Sequence, residues 1–143
     1  MEQGYTAAQT AKITGVPYAT LDYYERSKFL VPSVRPASGS GRARRLYSFS
    51  DLVRLRVVRE LRGQNVPLQT IRKVVTKLRS LRPPRELADS RLVVVGNRVH
   101  LVGGPDELVE LMSGQRIFSF VVANVGLLYR EVEATAKDVR DAA

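Results

Sequence analysis

Apolar residues in the first part of the chain recur at helical spacing and are interrupted by turn residues, which predicts two short helices. The first is predicted over residues 6–13, where Thr6 and Gln9 stand at the spacing of an N-terminal capping box. Gly15 ends this helix, because glycine readily adopts the left-handed conformation found at helix C-termini. The second is predicted over residues 17–26 and starts at a proline, which suits a first helical turn.

Two longer amphipathic segments follow. A helix over residues 48–63 carries apolar side chains on more than one face, so we expect it to be covered on several sides. The next helix begins near Pro67 and places apolar residues at spacings of three and four opposite a basic face. The prolines within residues 81–85 end it. We therefore predict two domains, residues 1–82 and residues 83–143.

The segment between the second and third helices predicts a wing. Residues 29–34 favour an extended strand, residues 36–41 a glycine-rich loop and residues 42–47 a return strand. Three arginines lie at the tip and on the return strand: Arg42, Arg44 and Arg45. Such a cluster of cations beside glycines is hard to explain by stability, so we expect these side chains to bind an anion.

The second domain begins with a predicted β-hairpin. Gly96-Asn97 forms a two-residue turn of the kind in which glycine comes first. In this register Leu92 faces Leu101 and Val94 faces Val99, which gives the hairpin one apolar face.

A short helix starting at Pro105 and a long helix over residues 118–139 complete the predicted elements, although residues 117–122 alone could equally form a strand. The long helix carries an apolar stripe that the hairpin and the short helix leave partly uncovered: Val121, Val125, Leu128 and Val132. The predicted fold class is α+β, a mainly helical winged helix–turn–helix domain followed by a small domain of β-hairpin and helices.

Positive charge is concentrated in the first domain. The chain has 23 basic and 14 acidic residues, a formal net charge of +9. Residues 1–85 hold 17 basic and 5 acidic residues (+12), whereas residues 86–143 hold 6 and 9 (−3). A polyanion attracts such a surface, and counterion release makes the attraction sensitive to salt. Together with the helix–turn–helix and the wing, this distribution predicts binding to double-stranded DNA.

Several classes of protein do not fit the composition. The chain has no cysteine, and a lone His100 cannot build a metal cluster, so we expect no cofactor or metal. No nucleophile, phosphate-binding or metal motif indicates an enzyme. The longest apolar stretch, residues 117–129, is too short to span a bilayer. The N-terminal residues lack the pattern of a signal peptide, so we expect a cytoplasmic protein.

The first half of the chain resembles the MerR family of bacterial transcription regulators. The resemblance rests on Ile13-Thr14-Gly15-Val16, Thr20-Leu21, Tyr23-Tyr24-Glu25-Arg26, Leu30-Val31-Pro32, Arg45-Leu46-Tyr47-Ser48 and Val66-Pro67-Leu68. It extends from residue 5 to about residue 80. It implies a winged helix–turn–helix whose second helix enters the major groove, dimerisation through C-terminal helices and distortion of promoter DNA.

The resemblance also implies particular DNA contacts. Tyr23 and Tyr24 would touch phosphates or sugars at the groove edge, although Tyr24 shares a face with Leu21 and could instead belong to the core. Arg44 and Arg45 would be wing residues that bind phosphates or reach toward the minor groove. The exposed helical faces, rather than the family motif, add four candidates: Lys12, Tyr18, Thr20 and Arg26.

Asp22 departs from the family pattern, which has an arginine before the tyrosine pair. A carboxylate at this position is repelled by phosphates. It either pairs with Arg26 one helical turn later or accepts a hydrogen bond from the amino group of a cytosine.

The C-terminal part differs from the single long dimerisation helix that is usual in the family. It fits self-association as a homodimer, which we favour because two half-sites multiply specificity. It also fits binding of a partner protein, as in a DNA-binding antitoxin that neutralises a toxin. An architectural DNA binder resembling phage excisionases is a further alternative.

Overall fold

The computed structural model describes residues 4–34, 46–81, 85–103 and 121–142. It has the predicted α+β class: a mainly helical first part, then a three-stranded antiparallel sheet and a C-terminal helix. The elements in chain order are α1 (Ala7–Thr14), α2 (Tyr18–Arg26), α3 (Phe49–Gly63), α4 (Leu68–Arg79), α5 (Arg85–Asp89), β1 (Arg91–Val95), β2 (Arg98–Val102), β3 (Val121–Asn124) and α6 (Val125–Asp141). They form two compact units, Met1–Arg59 together with Val132–Ala143, and Glu60–Glu131.

The capping box and the turn of the helix–turn–helix are as predicted. The Thr6 hydroxyl accepts a hydrogen bond from the Gln9 N–H at 3.1 Å, and the Gln9 side chain accepts one from the Thr6 N–H at 3.0 Å. Gly15 has φ +76° and ends α1. The Arg59 Nη1 atom donates to the Thr14 carbonyl at 3.3 Å and so satisfies an acceptor at the end of α1.

Just after α2, the chain contains a residue in an uncommon conformation. Lys28 has φ +58°, and the N–H groups of the next two residues, Phe29 and Leu30, both donate to the Tyr24 carbonyl, at 2.9 and 3.2 Å. Phe29 and Leu30 are buried, so the tight reversal directs the chain into the core immediately after the helix.

α3 and α4 each contribute apolar side chains to the core, as the sequence pattern predicts. Six apolar side chains of α3 are fully buried: Leu52, Val53, Leu55, Val57, Val58 and Leu61. This distribution confirms that α3 is covered on several sides. α4 buries one face, with Ile71, Val74, Val75 and Leu78, and exposes a basic face, with Arg72, Lys73, Lys77 and Arg79. The Lys73 Nζ atom donates to the Asn97 carbonyl at the hairpin turn, at 3.1 Å.

The sheet has the order β2–β1–β3. Its hairpin has the predicted register, with Leu92 opposite Leu101 and Val94 opposite Val99. Gly96 has φ +58°, which a turn with glycine first requires. β1 is the central strand, so it is protected by main-chain hydrogen bonds along both edges.

The C-terminal helix begins later than the helical spacing predicts. Val121–Asn124 is the strand β3, which pairs antiparallel with β1, and α6 starts at Val125. The Asn124 side chain accepts a hydrogen bond from the Leu127 N–H at 3.0 Å, so Asn124 caps the helix and separates it from the β-branched run. The predicted helix starting at Pro105 lies outside the described residues.

Candidate nucleic-acid interface

The exposed face of α2 presents two aromatic side chains. Tyr18 and Tyr23 are 52% and 51% exposed, whereas Leu21 on the opposite face is buried. Thr20 is half-buried beside them. An exposed tyrosine combines an apolar ring with a polar hydroxyl, and its phenol can contact both a sugar and a phosphate oxygen. The predicted contact residues Tyr18, Thr20 and Tyr23 therefore lie together on one accessible helix.

Cationic groups accompany this aromatic face. Lys12 is exposed in the last turn of α1, and Arg26 is exposed in the last turn of α2. Arg26 Nε lies 3.0 Å from Asp22 Oδ2, and the two side chains are 71% and 52% exposed. The pairing of Asp22 with Arg26 that the i,i+4 spacing suggests is present.

The base of the wing is held by two isolated antiparallel bridges. Val34 and Leu46 exchange two backbone hydrogen bonds, of 2.8 and 2.7 Å, and Tyr5 and Tyr47 exchange two of 2.8 Å. Val34 and Leu46 therefore lie side by side. The predicted wing contacts Arg42, Arg44 and Arg45 lie outside the described residues.

Asp51 organises the wing base, and the sequence analysis did not identify it. The buried Oδ2 atom accepts hydrogen bonds from the Ser33 N–H (3.0 Å), the Ser33 hydroxyl (2.6 Å) and the Ser48 N–H (2.9 Å). The Oδ1 atom accepts one from Arg54 Nη1 at 3.1 Å. A single carboxylate thus ties the segment entering the wing to the segment leaving it. The spacing Ser48-x-x-Asp51, that of a capping box, is the signal that could have revealed this role.

A groove of about 500 Å³ lies beside the exposed face of α2. It is lined by residues of α1, α2 and the wing base: Thr6, Ala7, Ala8, Tyr18, Asp22, Glu25, Pro32, Leu46 and Tyr47. Burial, and then the charges of Glu25 and Asp51, raise the pKa of Tyr47 to about 12. Because its ionisable lining is carboxylate and phenol, this groove disfavours a phosphate group.

Two sets of predicted site residues are placed differently from the expectation. Tyr24 is only 6% exposed, and its ring lies 4.8 Å from the Phe29 ring, so it serves the core rather than a groove edge. Of the proposed dimerisation stripe, Val125, Leu128 and Val132 are 0%, 5% and 1% exposed within the single chain, and Val121 lies on β3 rather than on the helix. The expectation that this stripe is left uncovered was wrong, because residues of the same chain already cover it.

The first compact unit also contains a contact that sequence reasoning missed. Arg140, in the last turn of α6, donates through Nη2 to the Tyr5 hydroxyl. Its guanidinium carbon lies 5.3 Å from the centre of the Tyr5 ring, within cation–π range. Since Tyr5 also pairs with Tyr47, this contact links the end of α6 to the wing base. No local spacing signals it, because the two residues are 135 positions apart.

Within the described ranges, no helix is long and apolar enough to cross a membrane. The same ranges contain no group of three or more histidine, aspartate, glutamate or cysteine residues suited to a metal ion.

Comparison with known proteins identifies the family. Residues 5–78, about half of the chain, match the MerR HTH family regulatory protein model. Relatives named uncharacterized HTH-type transcriptional regulators occur in Mycobacterium bovis and in two strains of Mycobacterium tuberculosis. Each is 37% identical over 121 residues, which cover 84% of this chain and 53% of the relative. The chain therefore spans about half the length of these relatives, and it belongs to the MerR family of helix–turn–helix transcriptional regulators.

Proposed function

We propose that this chain is a sequence-specific regulator that binds double-stranded DNA as a dimer and inserts α2 into the major groove. The observation that carries the proposal is the exposed face of α2, where Tyr18, Tyr23 and Arg26 are accessible on a helix whose other face is anchored in the core. A helix can contact base edges in the major groove when one face is accessible to solvent and the opposite face is packed rigidly against the core.

The contacts within this proposal divide into two classes. In this proposal Tyr18, Thr20 and Arg26 are the candidates for contact with bases, whereas Lys12 and Tyr23 are the candidates for contact with the sugar–phosphate backbone. The wing arginines add phosphate contacts at the flanks: Arg42, Arg44 and Arg45. Tyr24 is left out of this set because its burial supports a role in packing.

Residues 1–82 supply the DNA-binding domain in this proposal, and residues 83–143 supply self-association. With the apolar stripe of α6 covered, Leu127 is the candidate contact, since it is a large apolar side chain left 49% exposed on that helix. A regulator of this kind acts in the cytoplasm and is not an enzyme.

Salt dependence tests the phosphate contacts. With about six phosphates neutralised, affinity for duplex DNA should fall roughly 10³-fold between 50 and 200 mM salt. Replacing Arg44 and Arg45 by alanine should reduce the slope of log affinity against log salt by about two. The matched control is the double alanine replacement of Arg98 and Arg130, exposed cations of the second domain, which should leave the slope unchanged. A flat salt profile of the wild type contradicts the proposal.

Selection from a random duplex pool tests sequence specificity and symmetry. An enriched inverted repeat supports a dimer that reads two half-sites. Absence of any enriched sequence contradicts specific binding, and protection of an extended, unbounded stretch supports an architectural binder instead. A wild type that sediments as a monomer at roughly 10–100 μM contradicts homodimerisation on the usual scale of affinities. A different protein that co-purifies at fixed stoichiometry would favour the partner-binding alternative.

A further inference from the structure

The ion pair on α2 has an asymmetric geometry. Asp22 Oδ2 contacts Arg26 through Nε, the nitrogen nearest the aliphatic stem, at 3.0 Å. Arginine carries five N–H donors, and Nε supplies one of them. Across the described ranges no other hydrogen bond or ion pair engages the Arg26 guanidinium, so the terminal nitrogens Nη1 and Nη2 remain available. The side chain is 71% exposed, which leaves that end open to an incoming ligand.

This pair contributes little to folding, because exposed i,i+4 pairs are weak. Its physical effect is to restrict where the guanidinium lies. Helical side chains lean toward the N-terminus, so the group at Arg26 reaches back by about one turn, or about 5.4 Å, to the level of Asp22. The pair thereby moves the guanidinium from the end of α2 toward its N-terminal half, the part of a recognition helix that contacts base edges.

The charge of Asp22 acts in the same direction. A lone arginine beside DNA binds a phosphate readily, whereas a neighbouring carboxylate repels phosphates and weakens that alternative. The two Nη groups form a planar fork that fits the O6 and N7 acceptors of guanine. The arrangement thus combines a favoured orientation of the guanidinium, open donors and a local bias against binding of the DNA backbone.

We infer that Arg26, held through Nε by Asp22, reads one guanine in each operator half-site through its Nη groups. Asp22 is then a positioning residue, and it does not contact a base. The inference rests on the proposed function, namely that α2 enters the major groove. It gives the departure from the family pattern at Asp22 a role, since an arginine at that position could not hold Arg26 in this way.

Selection from a random duplex pool with the wild type and two variants tests the inference. The wild type should enrich guanine at one position of each half-site. Arg26→Lys keeps the charge but loses the planar fork, so preference for that guanine should fall by about 5- to 150-fold while other positions are retained. Asp22→Asn should weaken the preference for guanine at the same position, whereas Asp22→Glu, which can still pair with Arg26 at i,i+4, should retain it. Arg130→Lys, at an exposed site on α6, is the matched control.

A modified base provides a second readout that a change in folding would not imitate. Replacement of the enriched guanine by 7-deazaguanine removes the N7 acceptor, so it should weaken wild-type binding by several-fold, and it should have no further effect on Arg26→Ala. An Arg26→Lys variant that keeps the wild-type guanine preference overturns the inference and leaves the proposed function intact. An Asp22→Asn variant that loses a cytosine preference at another position also overturns the inference, because Asp22 would then contact a base itself. A wild type that enriches no sequence contradicts the proposed function itself.

Discussion

Asp51→Ala should be one of the most destabilising single substitutions in the first compact unit. Loss of the carboxylate leaves the buried Ser48 N–H without its acceptor, at a cost of about 1–3 kcal/mol. It also breaks the ion pair with Arg54, whose side chain is only 13% exposed, and breaking a buried pair costs about 3–5 kcal/mol. Ser33 is exposed, so water can replace its two bonds. Because these losses share one site and do not add, we expect about 3–5 kcal/mol.

Urea and thermal unfolding followed by circular dichroism measure this loss. At about 2–4 °C per kcal/mol for a chain of this size, Tm should fall by about 6–20 °C. Asp51→Asn retains one acceptor oxygen and should fall between the alanine variant and the wild type. Asp138→Ala, at an exposed position on α6, is the control and should stay within about 0.5 kcal/mol of the wild type. An Asp51→Ala variant less than about 1 kcal/mol below the wild type would refute the reasoning that Asp51 holds the wing base.

Other consequences follow from backbone conformation, burial and ionisation. Gly15→Ala should lower the free energy of unfolding by about 1–2 kcal/mol, because φ is +76° and the new Cβ would lie 2.6 Å from Arg59. Lys28→Gly should raise it by about 0.5–1 kcal/mol, because glycine adopts φ +58° without strain. Urea unfolding of both variants measures these opposite changes. With the pKa of Tyr47 raised to about 12, the unfolded state loses this proton first between pH 10 and 12. The free energy of unfolding should therefore fall by up to roughly 2–3 kcal/mol between pH 10 and 12. This fall should be smaller in Tyr47→Phe, and an identical pH profile of the wild type and the variant would contradict the prediction. Leu128→Glu should unfold the protein, because Leu128 is buried, whereas Leu127→Glu should keep the fold and shift sedimentation toward monomer. A folded Leu128→Glu variant would contradict the assignment of Leu128 to the core. Unchanged association of Leu127→Glu would contradict the proposal that Leu127 lies at the self-association surface.

Local signals in the sequence predicted the first part of the fold well. The capping box of Thr6 and Gln9, the left-handed Gly15 and the hairpin turn at Gly96 each depend on residues within a few positions of one another. Such features are specified by backbone preferences and short hydrogen bonds, so the pattern of residue types is sufficient to find them. The exposed face of α2 followed in the same way, from the period of a helix.

Features that depend on distant residues were not accessible in this way. β3 pairs with β1 across about 30 residues, and the competing helical spacing of valines extended the predicted helix too far. Leu128 was expected to be uncovered because its partners could not be counted from local pattern. Asp51 binds Ser33, 18 positions earlier, and nothing in a capping-box spacing specifies that second partner. Burial and long-range pairing are properties of the tertiary structure, which periodicity only constrains.

The link between Tyr5 and Arg140 bears on how the protein is made. The first compact unit takes its residues from both Met1–Arg59 and Val132–Ala143. Translation delivers the intervening residues at roughly 5–20 per second, so α1 and α2 leave the ribosome several seconds before α6 is synthesised. A nascent chain therefore carries the helix–turn–helix without the Arg140 contact, and this unit reaches its complete set of contacts only after the last turn of α6 has emerged.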